Sequence, residues 1–146
     1  MKNNNLPDFI LSNLSLGVYL LDENNHLLYF NEAFRSLFGA GDNSIGLYVG
    51  HVLSCGFDSD NKEGQGTHCR YCGFSKAYQE VRKTGNPSLL QKQVLKQTNT
   101  KGGIYYLEIS VFPMPENRLL VFVNDQTHEM EGLVKRSILQ NNDLIL

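Results

Sequence analysis

The sequence predicts an α+β domain, and three observations carry that prediction. Five runs have the apolar or alternating character of strands, two before residue 32 and three after residue 87. Between the two sets, apolar residues recur at helical spacing. The run "GIYYLEISVF" (103–112) alternates, with Tyr105, Leu107, Ile109 and Val111 on one face and Ile104, Tyr106, Glu108 and Ser110 on the other. A sheet with one face on a core needs that period of two.

Leu6 to Leu14 reads as a short amphipathic helix, with Phe9, Ile10 and Leu14 near helical spacing and Pro7 tolerated in its first turn. "LGVYLLD" (16–22) and "LLYFN" (27–31) are strands joined by turn chemistry at "ENNH" (23–26), so 16–31 is a hairpin. Asn31 is placed to cap a helix over "EAFRSLFGA", where Ala33, Phe34, Leu37 and Phe38 share a face and Gly39 stands at the end. Residues 41–50 are punctuated by glycine, "YVGHVLSC" (48–55) reads as a short helix, and 56–66 as a polar loop. A longer helix is expected from Thr67, its N-cap, to about Lys83, stopped by "TGNP" (84–87). Strands over 88–97, 103–112 and 118–125 follow, separated by "TNTKGG" and "PMPEN". Beyond them the chain turns helical through Leu146. Val134, Ile138, Asn141 and Ile145 fit the spacing of a coiled-coil seam, and a single surface helix on its own sheet fits as well.

The bulk numbers exclude several classes. A chain of 146 residues buries roughly 70% of its unfolded surface, enough for one domain with a real core. A net charge of −2 lacks the basic excess that nucleic-acid binding requires. No apolar run approaches the ~20 residues of a membrane span, and "MKNNNLPDF" lacks the core of a signal peptide, so a cytoplasmic chain is expected. Three cysteines, an odd number, fit a reducing compartment. There is no phosphate loop, paired-carboxylate motif or metalloprotease signature. Cys69 beside His68 has no third orienting group, and the chain is not expected to be an enzyme.

The cysteines follow the spacing Cys55-x13-Cys69-x2-Cys72. A C-x2-C pair at a helix entry turns both sulfurs toward one ion, and soft sulfur ligands select zinc or an iron–sulfur cluster. His51, four residues before Cys55, would share its helix face. That gives a candidate metal set of His51, Cys55, Cys69 and Cys72, with His68 as an alternative. Zinc accepts such a set closed and tetrahedral; a cluster with one His ligand is rarer. Two other readings stay open: free cysteines as core residues, and a disulfide switch between Cys55 and Cys69 or Cys72.

The order β-β-α-α-α-β-β-β with a helix leading out resembles the PAS domain. "LGVYLLDENNHLLYFNEAFRSLFG" is similar to the opening hairpin and first helix of that family. "VFVNDQTHEM" is similar to its closing strand and Asp-x-Thr exit motif, here Asp125, Gln126 and Thr127. The resemblance covers roughly residues 6 to 135. It implies a five-stranded antiparallel sheet with helices over one face, plus flanking N-terminal and C-terminal helices. In those terms 1–15 is an N-terminal helical cap, 16–125 the PAS sensory domain and 126–146 a signalling or linker helix.

The same resemblance implies a sensor that detects a small ligand, a redox state or a metal-linked signal and relays it through its C-terminal helix. Implied partners are a second copy in a homodimer and, in a longer protein, an effector such as a histidine kinase or diguanylate cyclase domain. A ligand-free dimerisation scaffold is the alternative. An unknown small molecule would sit in a cavity between the sheet and the helices over it, with Tyr29, Phe34, Phe38, Tyr106 and Phe122 as candidate lining, although aromatics in such places more often fill the core. A Cys-rich subset of PAS domains resembles the "CRYCG" region more closely. Cys55, Cys69, Cys72 and Gly73 match, but the Cys-Gly within the loop reads Gln65-Gly66, so one of four thiolates is missing. Flavin is disfavoured because the Gln after "HCRYCGF" and the paired Asn contacts are absent. Haem is disfavoured because His68 is the one histidine near the long helix; His26 and His128 read as surface residues.

Overall fold

In the computed structural model, which describes residues 6–53, 72–97 and 103–145, five strands pair antiparallel into one sheet. They are β1 (Gly17–Leu21), β2 (Leu27–Phe30), β3 (Ser88–Gln97), β4 (Gly103–Met114) and β5 (Arg118–Asp125), in the spatial order β2-β1-β5-β4-β3. The described helices are α1 (Leu6–Asn13), α2 (Glu32–Phe38), the single turn α3 (Val49–Val52), α4 (Gly73–Thr84) and α5 (Thr127–Ile145). The expected α+β architecture is the one adopted. None of these helices is long and apolar enough to cross a membrane.

The β1–β2 hairpin closes on one carboxylate. Asp22 Oδ1 accepts from the backbone N–H of Asn24 (2.8 Å) and of His26 (2.9 Å), while Asn25 takes a positive φ of 64°. An Asx turn of this kind is what an Asp followed by asparagines favours. The next element is fixed by Asn31, whose Oδ1 accepts from Phe34 N (3.1 Å) at the N-terminus of α2 and from Val18 N (2.9 Å) in β1. Gly39 and Gly85 end α2 and α4 in the left-handed conformation, where a side chain is disfavoured.

Register decides which side chains meet. Along β5, Leu119, Val121 and Val123 are buried on the helix side, and β4 answers with Leu107, Ile109 and Val111. Phe74, Ala77, Tyr78 and Val81 bury one stripe of α4 against them. Each fully buried side chain of this size contributes roughly 1.5–3 kcal/mol of transfer free energy. The opposite face of the sheet is also partly apolar: Val18 is fully buried, and Phe112 meets Phe122 edge-on at 5.7 Å.

Two boundaries differ from expectation. α4 begins at Gly73, with Cys72 extended at its N-cap (φ −67°, ψ 132°), rather than being capped by Thr67, which lies outside the described residues. β4 runs on to Met114, paired with Arg118. Pro113 is tolerated there because the β3 pairing ends at Ser88 opposite Val111, so its missing N–H faces no partner strand. At the other end of β5, Gln126 N donates to Tyr106 O (2.8 Å) and Tyr106 N donates to Thr127 Oγ1 (3.0 Å). These two bonds clamp the start of α5 to β4. The side chains of Val134, Ile138, Asn141 and Ile145 lie outside the described residues.

Candidate functional site

β1 and α4 each send a tyrosine into the core, and the two hydroxyls meet. Tyr19 Oη lies 2.7 Å from Tyr78 Oη, with both side chains buried. Burial pushes both phenols up; at Tyr19 the Tyr78 hydrogen bond offsets part of that shift and the neighbouring Cys72 adds to it, while at Tyr78 Tyr19, Cys72 and Tyr48 all add to it. Two hydroxyls share one hydrogen bond between them, so the pair has a second proton to direct at another acceptor. The core here is polar in a small, defined patch.

Cys72 borders that patch. It is half-buried and packed against the core, and its side chain makes no capping hydrogen bond to α4, whose first turn it supports through its carbonyl (Lys76 N, 2.9 Å). His51 lies at the other end of segment 54–71. It is exposed on α3, with its ring edge-on to Tyr48 at 5.7 Å, and Tyr48 in turn faces the His26 ring at 6.4 Å. His51 thus borders Tyr48, and Cys72 borders the Tyr19–Tyr78 pair. Cys55, Cys69 and His68 lie outside the described residues, and among the described residues no three metal-ligating side chains converge. His26 is half-buried rather than a free surface group, because its backbone bridges to Tyr48. His128 is exposed in the first turn of α5.

The five aromatics expected to line one cavity divide between the two faces of the sheet. Phe34 and Phe38 are buried on the helix side, in a chain of ring contacts with Tyr19 (4.9 Å), Phe30 (5.5 Å) and each other (4.8 Å). They fill the core. Tyr29 pairs with Leu20, Tyr106 with Val94 and Phe122 with Val18, all of the opposite parity. These three lie on the outer face and line no cavity under the helices. The shared reason is the two-residue period, which assigns a strand residue to a face whatever its side chain.

Sequence reasoning missed Tyr19, Tyr48 and Tyr78. A tyrosine inside the apolar run "GVYLL" was the available signal, since a buried phenol needs a partner. It also missed Arg82 of α4. Arg82 donates through Nη1 to Asn25 Oδ1 (2.7 Å), through Nη2 to Asp22 O (2.7 Å) and through Nε to Asn117 O (3.2 Å). One guanidinium therefore holds the far end of α4 to both strand turns.

Residues 9–71 match the family model described as PAS domain. The five-stranded sheet has solved counterparts. A PAS domain from Colwellia psychrerythraea superposes with a TM-score of 0.63 at 14% identity, covering 86% of this chain and 98% of that one. The fold is that of a PAS domain. A domain of the sensory box sensor histidine kinase/response regulator from Geobacter sulfurreducens has the same PAS fold at TM-score 0.59 and 24% identity, over 84% of this chain and 93% of that one. So does the PAS domain of nitrogen regulation protein NR(II) from Vibrio parahaemolyticus, at TM-score 0.55 and 17% identity, over 82% and 97%. No curated protein matches the chain.

Proposed function

We propose that this PAS-fold chain is the sensory module of a two-component-type signalling protein, with its input at the segment between His51 and Cys72 and its output through α5. The observation that carries the reading is the position of Cys72. A thiol at the first residue before α4, packed against the core beside the Tyr19–Tyr78 pair, would transmit a change of ligation or oxidation directly to a core helix. Relatives of the same fold come from a sensor histidine kinase/response regulator and from NR(II), which supports a kinase-type effector in a longer protein. The ligand set proposed for zinc or an iron–sulfur cluster is Cys55, Cys69 and Cys72 with His51, or with His68 in its place. A redox state of the same thiols is the metal-free form of this input.

Elemental analysis of protein purified without air or chelators tests it. About one zinc per chain, or iron with acid-labile sulfide, lost in Cys69→Ser/Cys72→Ser, supports a metal-linked input. Metal at background, with thiols whose oxidation leaves the melting curve unchanged, contradicts an input at this segment.

One observation favours a scaffold role beside sensing. α1 exposes Leu6 (60%), Phe9 (67%) and Ile10 (49%), an apolar face suited to a second copy. Sedimentation at increasing concentration distinguishes the two: a scaffold dimerises equally with and without the input, a sensor changes its dimer with it.

A further inference from the structure

We propose a second binding site, separate from the cysteine segment, that takes a small organic ammonium compound and reports to α5. A cleft of about 320 Å³ opens between α2 and the ends of β1 and β5. Gly17 and Val123, paired across the strands, form its floor; Ala33 and Leu37 of α2 form its apolar wall. A Cβ at Gly17 would fall 2.6 Å from Val123 Cγ1 and 3.5 Å from Phe34 Cα, so glycine at position 17 leaves the Val123 side chain its place on this floor. The volume is at the small end of ligand pockets.

The polar groups at the rim are Ser15, Ser36 and Asp125. Asp125 has the parity of Val123, which aims it to the α2 side of the sheet. Its Oδ1 accepts from both Thr127 N (3.0 Å) and Thr127 Oγ1, while Oδ2 takes no donor among the described residues. Among the described residues no lysine or arginine lines the cleft, and the arginine of α2, Arg35, is paired with Glu32 (3.2 Å) and Asp42 (3.1 Å). One carboxylate, two hydroxyls and an apolar wall recognise an ammonium head on a short alkyl chain. The head meets Asp125, a hydroxyl takes one of its N–H bonds, and the methylenes lie on Ala33, Leu37 and Val123. Charge-assisted bonds of this kind are the strong ones in a small site. Because the same carboxylate holds the first turn of α5 through Oδ1, a cation drawn to Oδ2 withdraws charge from the Thr127 hydrogen bonds and shifts the geometry of the exit helix.

The test is a titration of the full chain with n-butylammonium chloride and, separately, with neutral n-butanol at constant ionic strength, followed by backbone amide chemical shifts. Saturable shifts at Gly17, Ser36, Val123 and Thr127 are expected with butylammonium, with affinity about two- to fivefold above butanol, the difference an ion pair to an exposed carboxylate makes. Asp125→Asn keeps an amide oxygen for Thr127 but removes the charge, and should abolish that difference while the spectrum stays folded. Ser36→Phe, at an exposed position, should block the cleft independently. Equal response to the two probes, no saturable shift, or wild-type binding by both variants overturns the proposal.

Discussion

Tyr19 and Tyr78 lie 59 residues apart in sequence, yet their hydroxyl oxygens stand 2.7 Å apart inside the core. This contact ties the central β1–β5 region of the sheet to α4, the helix that follows the cysteine segment. Replacing either tyrosine by Phe removes the bond and leaves the other hydroxyl buried without it. Each single variant should lose about 1–2 kcal/mol in urea unfolding. The double Phe variant should lose less than the sum, because no orphaned hydroxyl remains. Strict additivity would show that the two groups are not coupled.

The same pair predicts a pH dependence. Burial raises both phenols above their ordinary value near 10, so the folded state keeps protons that the unfolded state releases. The stabilisation is therefore complete below about pH 10 and falls as pH rises beyond it, by about 1.4 kcal/mol per pH unit for each tyrosine. Unfolding free energies at pH 9, 10 and 11 check this. Tyr19→Phe/Tyr78→Phe should flatten the decline above pH 10; an identical slope would remove the pair from the linkage.

Asn31 uses its full hydrogen-bonding capacity. Oδ1 accepts from Val18 N and Phe34 N, and Nδ2 donates to Leu11 O and Leu16 O, each at 2.9 Å. Asn31→Ala should cost about 2–4 kcal/mol, combining a lost cap with an orphaned buried N–H. Asn31→Asp keeps both acceptor bonds but loses both donations, so it should release α1 and the α1–β1 connection from the head of α2 while α2 stays capped. Amide exchange read separately over 6–13 and 32–38 distinguishes the two variants.

Arg82 is a strut whose loss should be felt far from α4. Burial depresses its basicity, and the neighbouring Tyr78, Asp22 and Glu23 offset part of that shift. Arg82→Ala should cost about 1–3 kcal/mol and speed amide exchange at Asn24–Leu27 in the hairpin. Arg82→Lys, with a single ammonium in place of the three-way fork, should recover only part of that loss.

Much of this fold was legible because local chemistry and tertiary structure agree. Asn31 and Gly39 bracket α2 as their types require, and the alternation of β4 names the correct inward set of Leu107, Ile109 and Val111. The candidate site was less legible for two physical reasons. The outer face of the sheet also carries Val18, Phe112 and Phe122, so apolar character alone does not say which parity faces the helices, and pairing puts Tyr29, Tyr106 and Phe122 on that outer face. Arg82 and the Tyr19–Tyr78 pair depend on contacts spanning 35 to 60 residues, for which no local pattern exists.

In the proposed function, input at the cysteine segment reaches α5 through the core. The most direct measurement is amide hydrogen exchange on anaerobically purified full chain, before and after combined chelator and peroxide treatment. Protection should change at the start of α4, over 72–78, together with a change over 125–133, and both changes should be lost in Cys69→Ser/Cys72→Ser. Unchanged exchange in both segments, or a change confined to 72–78, would contradict it.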